Sequence, residues 1–132
     1  GSQVFIDAGA SYRVDKMLQS VIMASANDAS VALAEYIAGS EKSFVKRMND
    51  KAEELGMHST MYENCTGLPS PMQHSTAKDT ALLLSNVIDN EVYHKYSSTP
   101  PTTWDNDGLR RYKGYVHHSY RTHRPVLPVY AM

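Results

Sequence analysis

Apolar residues recur at helical spacing along much of the chain, most clearly in its middle third. One helical face there carries only apolar side chains: Phe44, Val45, Met48, Ala52 and Leu55. Charged residues lie mostly on the other face, as in an amphipathic helix packed on a core. The pattern predicts a helix that begins at Ser40 or Ser43 and ends at Gly56.

Two further helices are predicted before it, joined by the sequence SANDAS (residues 25–30). The first has its stripe at Val14, Met17, Leu18, Val21 and Ile22. The second has its stripe at Val31, Ala34, Ile37 and Ala38. The first helix should stop near Ala24, and Gly39 should end the second in a left-handed conformation. Ser25 or Asn27 is the expected cap of the second helix, because their side-chain oxygens can accept unpaired N–H groups. Residues 4–9, VFIDAG, suggest a short strand or its remnant, followed by a turn.

After Gly56 the periodicity is lost until a fourth helix. Residues 57–74 predict a loop, with a short extended piece at about residues 60–62. Thr76 and Asp79 resemble a capping box with Asp in place of Glu. The predicted stripe of the fourth helix is Ala77, Ala81, Leu84, Val87 and Ile88. The sequence NEVYHKY then predicts one or two more helical turns.

The last quarter of the chain has a different character. From Gly108 onward there is no Asp or Glu, and Lys or Arg occurs five times: Arg110, Arg111, Lys113, Arg121 and Arg124. Tyr and His are also frequent in this part. We therefore expect a helical body at residues 1–98 and an irregular basic extension at residues 99–132.

Composition limits the classes of protein. The chain has 132 residues, 42% of them hydrophobic, which suits one domain with a packed core. A net charge of −1 predicts no general attraction to nucleic acid or to anionic membranes. A lone cysteine, Cys65, cannot form an internal disulfide or a cysteine-rich metal site. No apolar run approaches the roughly 20 residues that a membrane-spanning helix needs.

Two features of the basic extension suggest other chemistry. His117, His118 and His123 could ligate a metal ion, but no carboxylate or cysteine accompanies them, which favours surface histidines. Basic residues interleaved with tyrosines are suited to nucleic-acid binding. The nearly neutral chain has no nucleic-acid-binding motif, which favours an extension whose tyrosines pack on the helical body. We expect no metal, no organic cofactor and no nucleic-acid partner.

A longer stretch of sequence resembles a known family. SANDASVALAEYIAGSEKSFVKRMNDKAEELGMHSTMYENCTGLP, followed by HSTAKDTALL, is similar to the serine-type D-alanyl-D-alanine carboxypeptidases, low-molecular-weight penicillin-binding proteins. The resemblance covers residues 4–96, approximately. Its four motifs, Ser-x-Asn-Asp-Ala, the Gly-Ser to Leu-Gly-Met core, Gly-Leu-Pro and Ser-Thr-Ala-x-Asp, come in the family's order and spacing. It implies a mainly α chain, the helical subdomain of the α+β penicillin-binding/β-lactamase-like fold without most of the sheet.

The resemblance also implies site residues. The family uses a Ser-x-x-Lys nucleophile motif, a Ser-x-Asn motif and a Lys-Thr-Gly strand. Only the second is recognisable here, as Ser25, Ala26 and Asn27. By resemblance, the Ser25 hydroxyl relays a proton to the leaving group, and the Asn27 amide holds the substrate backbone and the lysine beside the nucleophile. A plain helix cap is the alternative interpretation, and one residue can serve both purposes.

The other two motifs are missing from this sequence. No Ser-x-x-Lys precedes Ser25, and Lys-Thr-Gly does not occur. The strings SFVK (residues 43–46) and STAK (residues 75–78) follow Ser25, in the wrong order, and Ser43 and Ser75 suit helix starts. The expectation is therefore a fragment that is inactive alone. The alternative is a non-catalytic helical module that binds peptidoglycan or a protein partner. A β-lactamase is less favoured, because ENCTGLP stands where a Glu-x-x-Leu-Asn motif would be expected.

The resemblance finally implies a setting for the parent enzyme. Its substrate would be the peptidoglycan stem peptide, cleaved through a serine ester, and β-lactams would be its inhibitors. Its location would be extracytoplasmic, in the bacterial cell envelope, although this chain shows no signal peptide. A helical subdomain without its sheet exposes an apolar face, so we expect a marginal, self-associating or molten species.

Overall fold

The computed structural model describes residues 2–98, and this part of the chain is helical. Its helices are α1 (Val14–Ala24), α2 (Asn27–Ala38), α3 (Glu41–Glu54), α4 (Ala77–Val87) and α5 (Glu91–Ser97). Residues 2–98 contain no β-strand, and one isolated antiparallel bridge joins Met61 to His74. The predicted mainly α class is confirmed, and the predicted extended piece near residue 61 is this bridge. The basic extension and its three histidines lie outside the described residues.

Local capping signals place the ends of α3 where the sequence predicted them. The Ser40 hydroxyl accepts the N–H of Ser43 at 3.1 Å, which satisfies one of the unpaired donors of the first turn. Gly39 ends α2 with φ of 81°, and Gly56 follows α3 with φ of 78°. Only glycine adopts these angles without crowding at Cβ, so both chain reversals follow from the sequence.

Two apolar clusters form the core, and α2 contributes to both. The first joins α2, α3, α4 and the loop between α3 and α4, through Ala34, Met48, Ala52, Met57, Tyr62, Cys65 and Leu83. The second joins the N-terminal segment to α1 and α2, through Val4, Met17, Val21, Ala26 and Ala29. Because α2 is packed on both sides, the corner between α1 and α2 is built on a fixed helix.

The predicted apolar faces are only partly right. On α4, Ala77 and Ala81 are exposed, as is Ile88 directly after the helix, whereas Leu83 is buried. Three consecutive leucines fit more than one helical face, and the sequence pattern selected the wrong one. Val14 on α1 and Ile37 on α2 are likewise exposed.

The Asp79 side chain is buried at the start of α4 and binds the preceding loop. Thr76 accepts the N–H of Asp79 at 3.1 Å, as the predicted cap requires. The Asp79 carboxylate does not complete a capping box, and instead accepts the Thr60 hydroxyl at 2.7 Å and the Ser59 N–H at 2.8 Å. These hydrogen bonds, the Thr60 hydroxyl foremost, lower the pKa of Asp79, and burial only partly offsets them. Asp79 therefore turns inward and ties the loop to α4.

We expect Asp79→Asn to remove a pH-dependent part of the stability. A carboxyl with a lowered pKa in the folded state stabilises the fold above its unfolded pKa of about 3.9, and this contribution disappears as pH falls through the lower folded value. The urea midpoint of the variant should therefore lie below that of the wild type at about pH 6, and the difference should shrink at about pH 3. The exposed Asp89→Asn is the control and should follow the wild type. A difference between Asp79→Asn and wild type that is the same at both pH values would contradict this assignment.

Candidate active site

Ser25 lies at the end of α1, not at the start of α2. Its backbone has φ of 52° and ψ of 41°, a left-handed conformation that costs a residue with a Cβ on the order of 1 kcal/mol. Its N–H donates to the carbonyl of Val21 at 3.0 Å, and the Ala26 N–H donates to the carbonyl of Ser20 at 3.3 Å. The side chain is exposed, and its hydroxyl makes no hydrogen bond to another residue between 2 and 98.

The predicted capping role of Ser25 or Asn27 is wrong. Ala26 is the residue that precedes α2, and its side chain makes no capping hydrogen bond. Asn27 is the first helical residue, and its N–H donates to the carbonyl of Ser2 at 2.8 Å. The sequence pattern assigned the unpaired N–H groups of this helix start to a side chain. The structure instead pairs the Asn27 N–H with the main-chain carbonyl of Ser2.

The three residues of the Ser-x-Asn motif differ in exposure. Ser25 is exposed, Ala26 is fully buried in the second cluster, and Asn27 is half-buried. Ala26 therefore anchors the corner to the core while the two polar residues remain accessible. Residues 25–27 are called the Ser-x-Asn corner below.

An open groove of about 580 Å³ runs beside the corner. Asn27 and Asp28 line it from α2, and Asn64, Thr66 and Leu68 line it from the loop between α3 and α4. The remaining lining residues are Gln3, Ile6, Val31, Ala32, Glu35 and Glu41. Asn27 thus faces the groove, whereas Ser25 is not among its lining residues.

The loop wall of the groove is held by side-chain hydrogen bonds. The Asn64 side-chain oxygen accepts the N–H groups of Thr66 and Gly67, at 3.2 and 2.8 Å. The Gln73 side chain accepts the Asn64 N–H at 3.2 Å and donates to the Leu68 carbonyl at 2.9 Å. The wall facing Asn27 is therefore preorganised within the described part of the chain.

Cys65 supports this wall and is not a nucleophile. Its N–H and its thiol both donate to one Glu41 carboxylate oxygen, at 3.1 and 3.2 Å. Burial, with Glu41 as the next cause, raises the pKa of Cys65 to about 12. The thiol therefore stays protonated at neutral pH, in line with the sequence, which carries no signal for a lowered thiol pKa.

The two Ser-x-x-Lys strings that follow Ser25 have structural contacts. The Ser43 hydroxyl accepts that of Ser40 at 2.9 Å at the start of α3, and Lys46 pairs with Asp50 at 2.7 Å. The Ser75 hydroxyl lies 2.8 Å from that of Thr60, just before α4. Both strings therefore take part in helix starts and loop contacts, as expected.

Asp28 is a site residue that sequence reasoning missed. Its carboxylate accepts the N–H groups of Val4 at 3.1 Å and of Ile6 at 3.2 Å, besides that of Ala29 at 3.0 Å. An aspartate in the first turn of a helix commonly accepts N–H groups, which was the available signal. That two of the donors, Val4 and Ile6, lie more than 20 positions away could not be inferred locally.

The described residues contain neither a cluster of metal-ligating side chains nor a membrane-spanning helix. No three side chains of His, Cys, Asp or Glu between residues 2 and 98 come together to hold a metal ion. Among α1 to α5, none has the length and the hydrophobicity that a membrane-spanning helix requires. His117, His118 and His123 lie outside these residues, so the prediction that they bind no metal stays a prediction.

Known sequences and folds match this arrangement. A family model described as D-alanyl-D-alanine carboxypeptidase matches residues 1–114. The D-alanyl-D-alanine carboxypeptidase DacF of Bacillus subtilis (strain 168) is 44% identical over 99 residues, which cover 75% of this chain and 25% of DacF. The chain thus spans about a quarter of the length of the curated relatives it matches.

Solved structures share the same fold over this region. The D-alanyl-D-alanine carboxypeptidase DacD from Francisella tularensis aligns with a TM-score of 0.70 and 40% identity, over 74% of this chain and 24% of DacD. Penicillin binding protein 6B from Escherichia coli aligns with a TM-score of 0.70 and 42% identity, over 74% of this chain and 31% of that protein. The helical body described here therefore corresponds to one part of these larger structures.

Proposed function

Because this chain belongs to the D-alanyl-D-alanine carboxypeptidase family of peptidoglycan metabolism, we propose that its helical body forms the Ser-x-Asn side of a carboxypeptidase active site. The reaction is removal of the terminal D-alanine from peptidoglycan stem peptides through a serine ester. The geometry of the Ser-x-Asn corner carries this proposal, since it leaves Ser25 exposed and directs Asn27 to an open groove.

Each polar residue of the corner has chemistry suited to its proposed role. A serine hydroxyl can both accept and donate a proton, so Ser25 can relay one to the leaving group. The Asn27 carboxamide offers two donors and an acceptor, so it can hold a peptide backbone and an ammonium group together. These roles require fixed positions, which the buried Ala26 supports.

The chain alone lacks the groups that make and break the ester. An acyl-enzyme needs an activated nucleophile and a base to receive its proton. The sequence has no Ser-x-x-Lys before Ser25 and no Lys-Thr-Gly. We therefore propose that the isolated chain has no carboxypeptidase activity, and that these groups come from other parts of the enzyme, in cis or in trans.

Labelling with a fluorescent penicillin tests whether the nucleophile and its base come from parts of the enzyme outside this chain. The 132-residue chain is expected to remain unlabelled, because no nucleophile is available to be acylated. A chimera, in which residues 2–98 replace the matching segment of Bacillus subtilis DacF, is expected to be labelled. Ser43→Ala and Ser75→Ala in the chimera should leave the labelling unchanged. Labelling of the isolated chain that disappears in either serine variant would refute this proposal.

A non-catalytic module is the second candidate function. The feature that favours it is the absence of both outer motifs from the sequence. In that case the groove would bind peptidoglycan or a protein partner without chemistry. Co-sedimentation of the isolated chain with purified peptidoglycan, together with an inactive chimera, would favour the module over the enzyme.

Family membership extends the proposal to partners, location and domain limits. The stem peptide and β-lactams are the proposed ligands, and the extracytoplasmic side of the bacterial envelope is the proposed location. The division into a helical body, residues 1–98, and a basic extension, residues 99–132, is kept as a proposal, with the family match running on to residue 114. Exposed apolar side chains such as Tyr36 and Ile37 support the expected self-association of the isolated chain, which sedimentation equilibrium would measure.

A further inference from the structure

We propose that Asp28 is a positioning residue that holds the Ser-x-Asn corner in its working shape. The role rests on the proposed function, since it assumes that the corner takes part in catalysis. The carboxylate binds the main chain of the N-terminal segment, residues 2–6, and thereby fastens this segment to the first turn of α2. Nothing in the Ser-x-Asn motif itself performs this task.

Both oxygens of the Asp28 carboxylate are engaged by the main chain. Oδ1 accepts the N–H of Val4 at 3.1 Å, and Oδ2 accepts the N–H of Ile6 at 3.2 Å. Oδ1 also accepts the N–H of Ala29 at 3.0 Å. An ionised carboxylate is an acceptor only, and three N–H donors match that character. Asp28 lines the groove, but its oxygens are directed to the protein backbone.

The same N-terminal segment contacts the corner in two further ways. The Ser2 carbonyl accepts the N–H of Asn27 at 2.8 Å, next to the Asp28 anchor. The Val4 side chain is fully buried in the cluster that contains Ala26. The segment therefore contacts the corner twice, through the hydrogen bond from Asn27 to Ser2 and through the packing of Val4 with Ala26. Release of the Asp28 bonds would loosen both contacts.

The corner needs such support because its backbone is strained. Ser25 has φ of 52°, which a serine adopts only when the surrounding structure enforces it. Without the tie, the chain between α1 and α2 can relax toward ordinary angles and move the Ser25 hydroxyl. A displacement of about 1 Å can cost catalysis up to about 10²-fold. Asp28 therefore acts through Ser25 and Asn27, without touching the substrate.

Amide hydrogen exchange on the full 132-residue chain tests, independently of activity, whether Asp28 holds the N-terminal segment on α2. In Asp28→Ala, protection of the Val4, Ile6 and Asn27 amides should fall at least about tenfold, while the α3 amides keep theirs. Asp50→Ala removes an exposed carboxylate on α3 and should leave the N-terminal amides unchanged. Asp28→Asn keeps the side-chain size and one acceptor oxygen, and serves if the alanine variant unfolds. Unchanged protection at all three amides would overturn the proposal.

The chimera tests whether the hydrogen bonds from Asp28 to the N-terminal segment are needed for catalysis. We expect Asp28→Asn to lower kcat/KM at least about tenfold, because a displaced Ser25 lowers kcat and a displaced Asn27, which holds the substrate backbone, raises KM. Lost amide protection with kcat and KM both unchanged would overturn the positioning role, and retained protection with a raised KM would instead make Asp28 a substrate contact. An unsubstituted chimera without activity would refute the proposed function, and the role of Asp28 in catalysis with it. The exchange result would still decide whether Asp28 holds the corner.

Discussion

Replacement of Ser25 by alanine in the chimera is expected to lower kcat for D-alanine release by about 10²-fold, the lower end of the range for one proton-transfer group. The hydroxyl is exposed and makes no hydrogen bond within residues 2–98, so its loss leaves no buried partner unsatisfied. The fold should therefore survive while proton delivery to the leaving group fails. Steady-state kinetics with a stem-peptide substrate, alongside thermal melting, measure both effects.

Two matched variants distinguish the effect of losing the Ser25 hydroxyl from the effect of its left-handed backbone conformation. Ser25→Gly also removes the hydroxyl but adopts φ of 52° without a Cβ clash, so it should lose the same activity and keep or gain stability. Ser85→Ala removes an exposed serine on α4 and should leave kcat unchanged. Activity close to that of the unsubstituted chimera in both Ser25 variants would eliminate Ser25 as the proton relay.

Met48→Ala is expected to destabilise the 132-residue chain by about 2–5 kcal/mol. Met48 is 4% exposed and lies in the cluster that joins α2, α3 and the loop wall of the groove. The substitution leaves a cavity where neighbouring side chains cannot fully collapse. Because the isolated helical body is expected to be only marginally stable, a loss of this size should remove much of its helical circular dichroism at a urea concentration that the unsubstituted chain tolerates.

Met72→Ala is the matched control for this loss. Met72 is 59% exposed in the loop between α3 and α4, so its truncation should change the free energy of unfolding by no more than about 0.5 kcal/mol. Similar urea midpoints for the Met48 and Met72 variants would show that the first core cluster is not packed as described. A large loss confined to Met48→Ala would agree with the cluster.

Helix positions were predictable where their signals are local. The apolar spacing in α3, the Ser40 cap and the reversals at Gly39 and Gly56 all depend on residues a few positions apart, and the structure agrees with each. The face of α4 was not predictable in the same way. Its leucines suit more than one face, and Leu83 is buried among residues of α2, α3 and the loop while Asp79 binds that loop.

The residues of the candidate site could be predicted from the motif, but their positions and contacts could not. Ser25 and Asn27 were identified by resemblance, but their expected role as helix caps was wrong. The Ser2 carbonyl accepts the N–H of Asn27, and the Asp28 carboxylate accepts that of Ala29. The groove and its loop wall had no local signal, because their residues come from separate parts of the chain.

By itself, the sequence determined the helical class, most helix ends and the family, since these depend on periodicity, capping residues and motif order. Only the tertiary structure decided that Ser25 closes α1 in a left-handed conformation and that Asp28 ties the N-terminal segment to α2. The physical reason is range. Caps and periodicity act within a few residues, whereas Asp28 binds Val4 and Ile6, 24 and 22 positions away, and only packing brings such groups together.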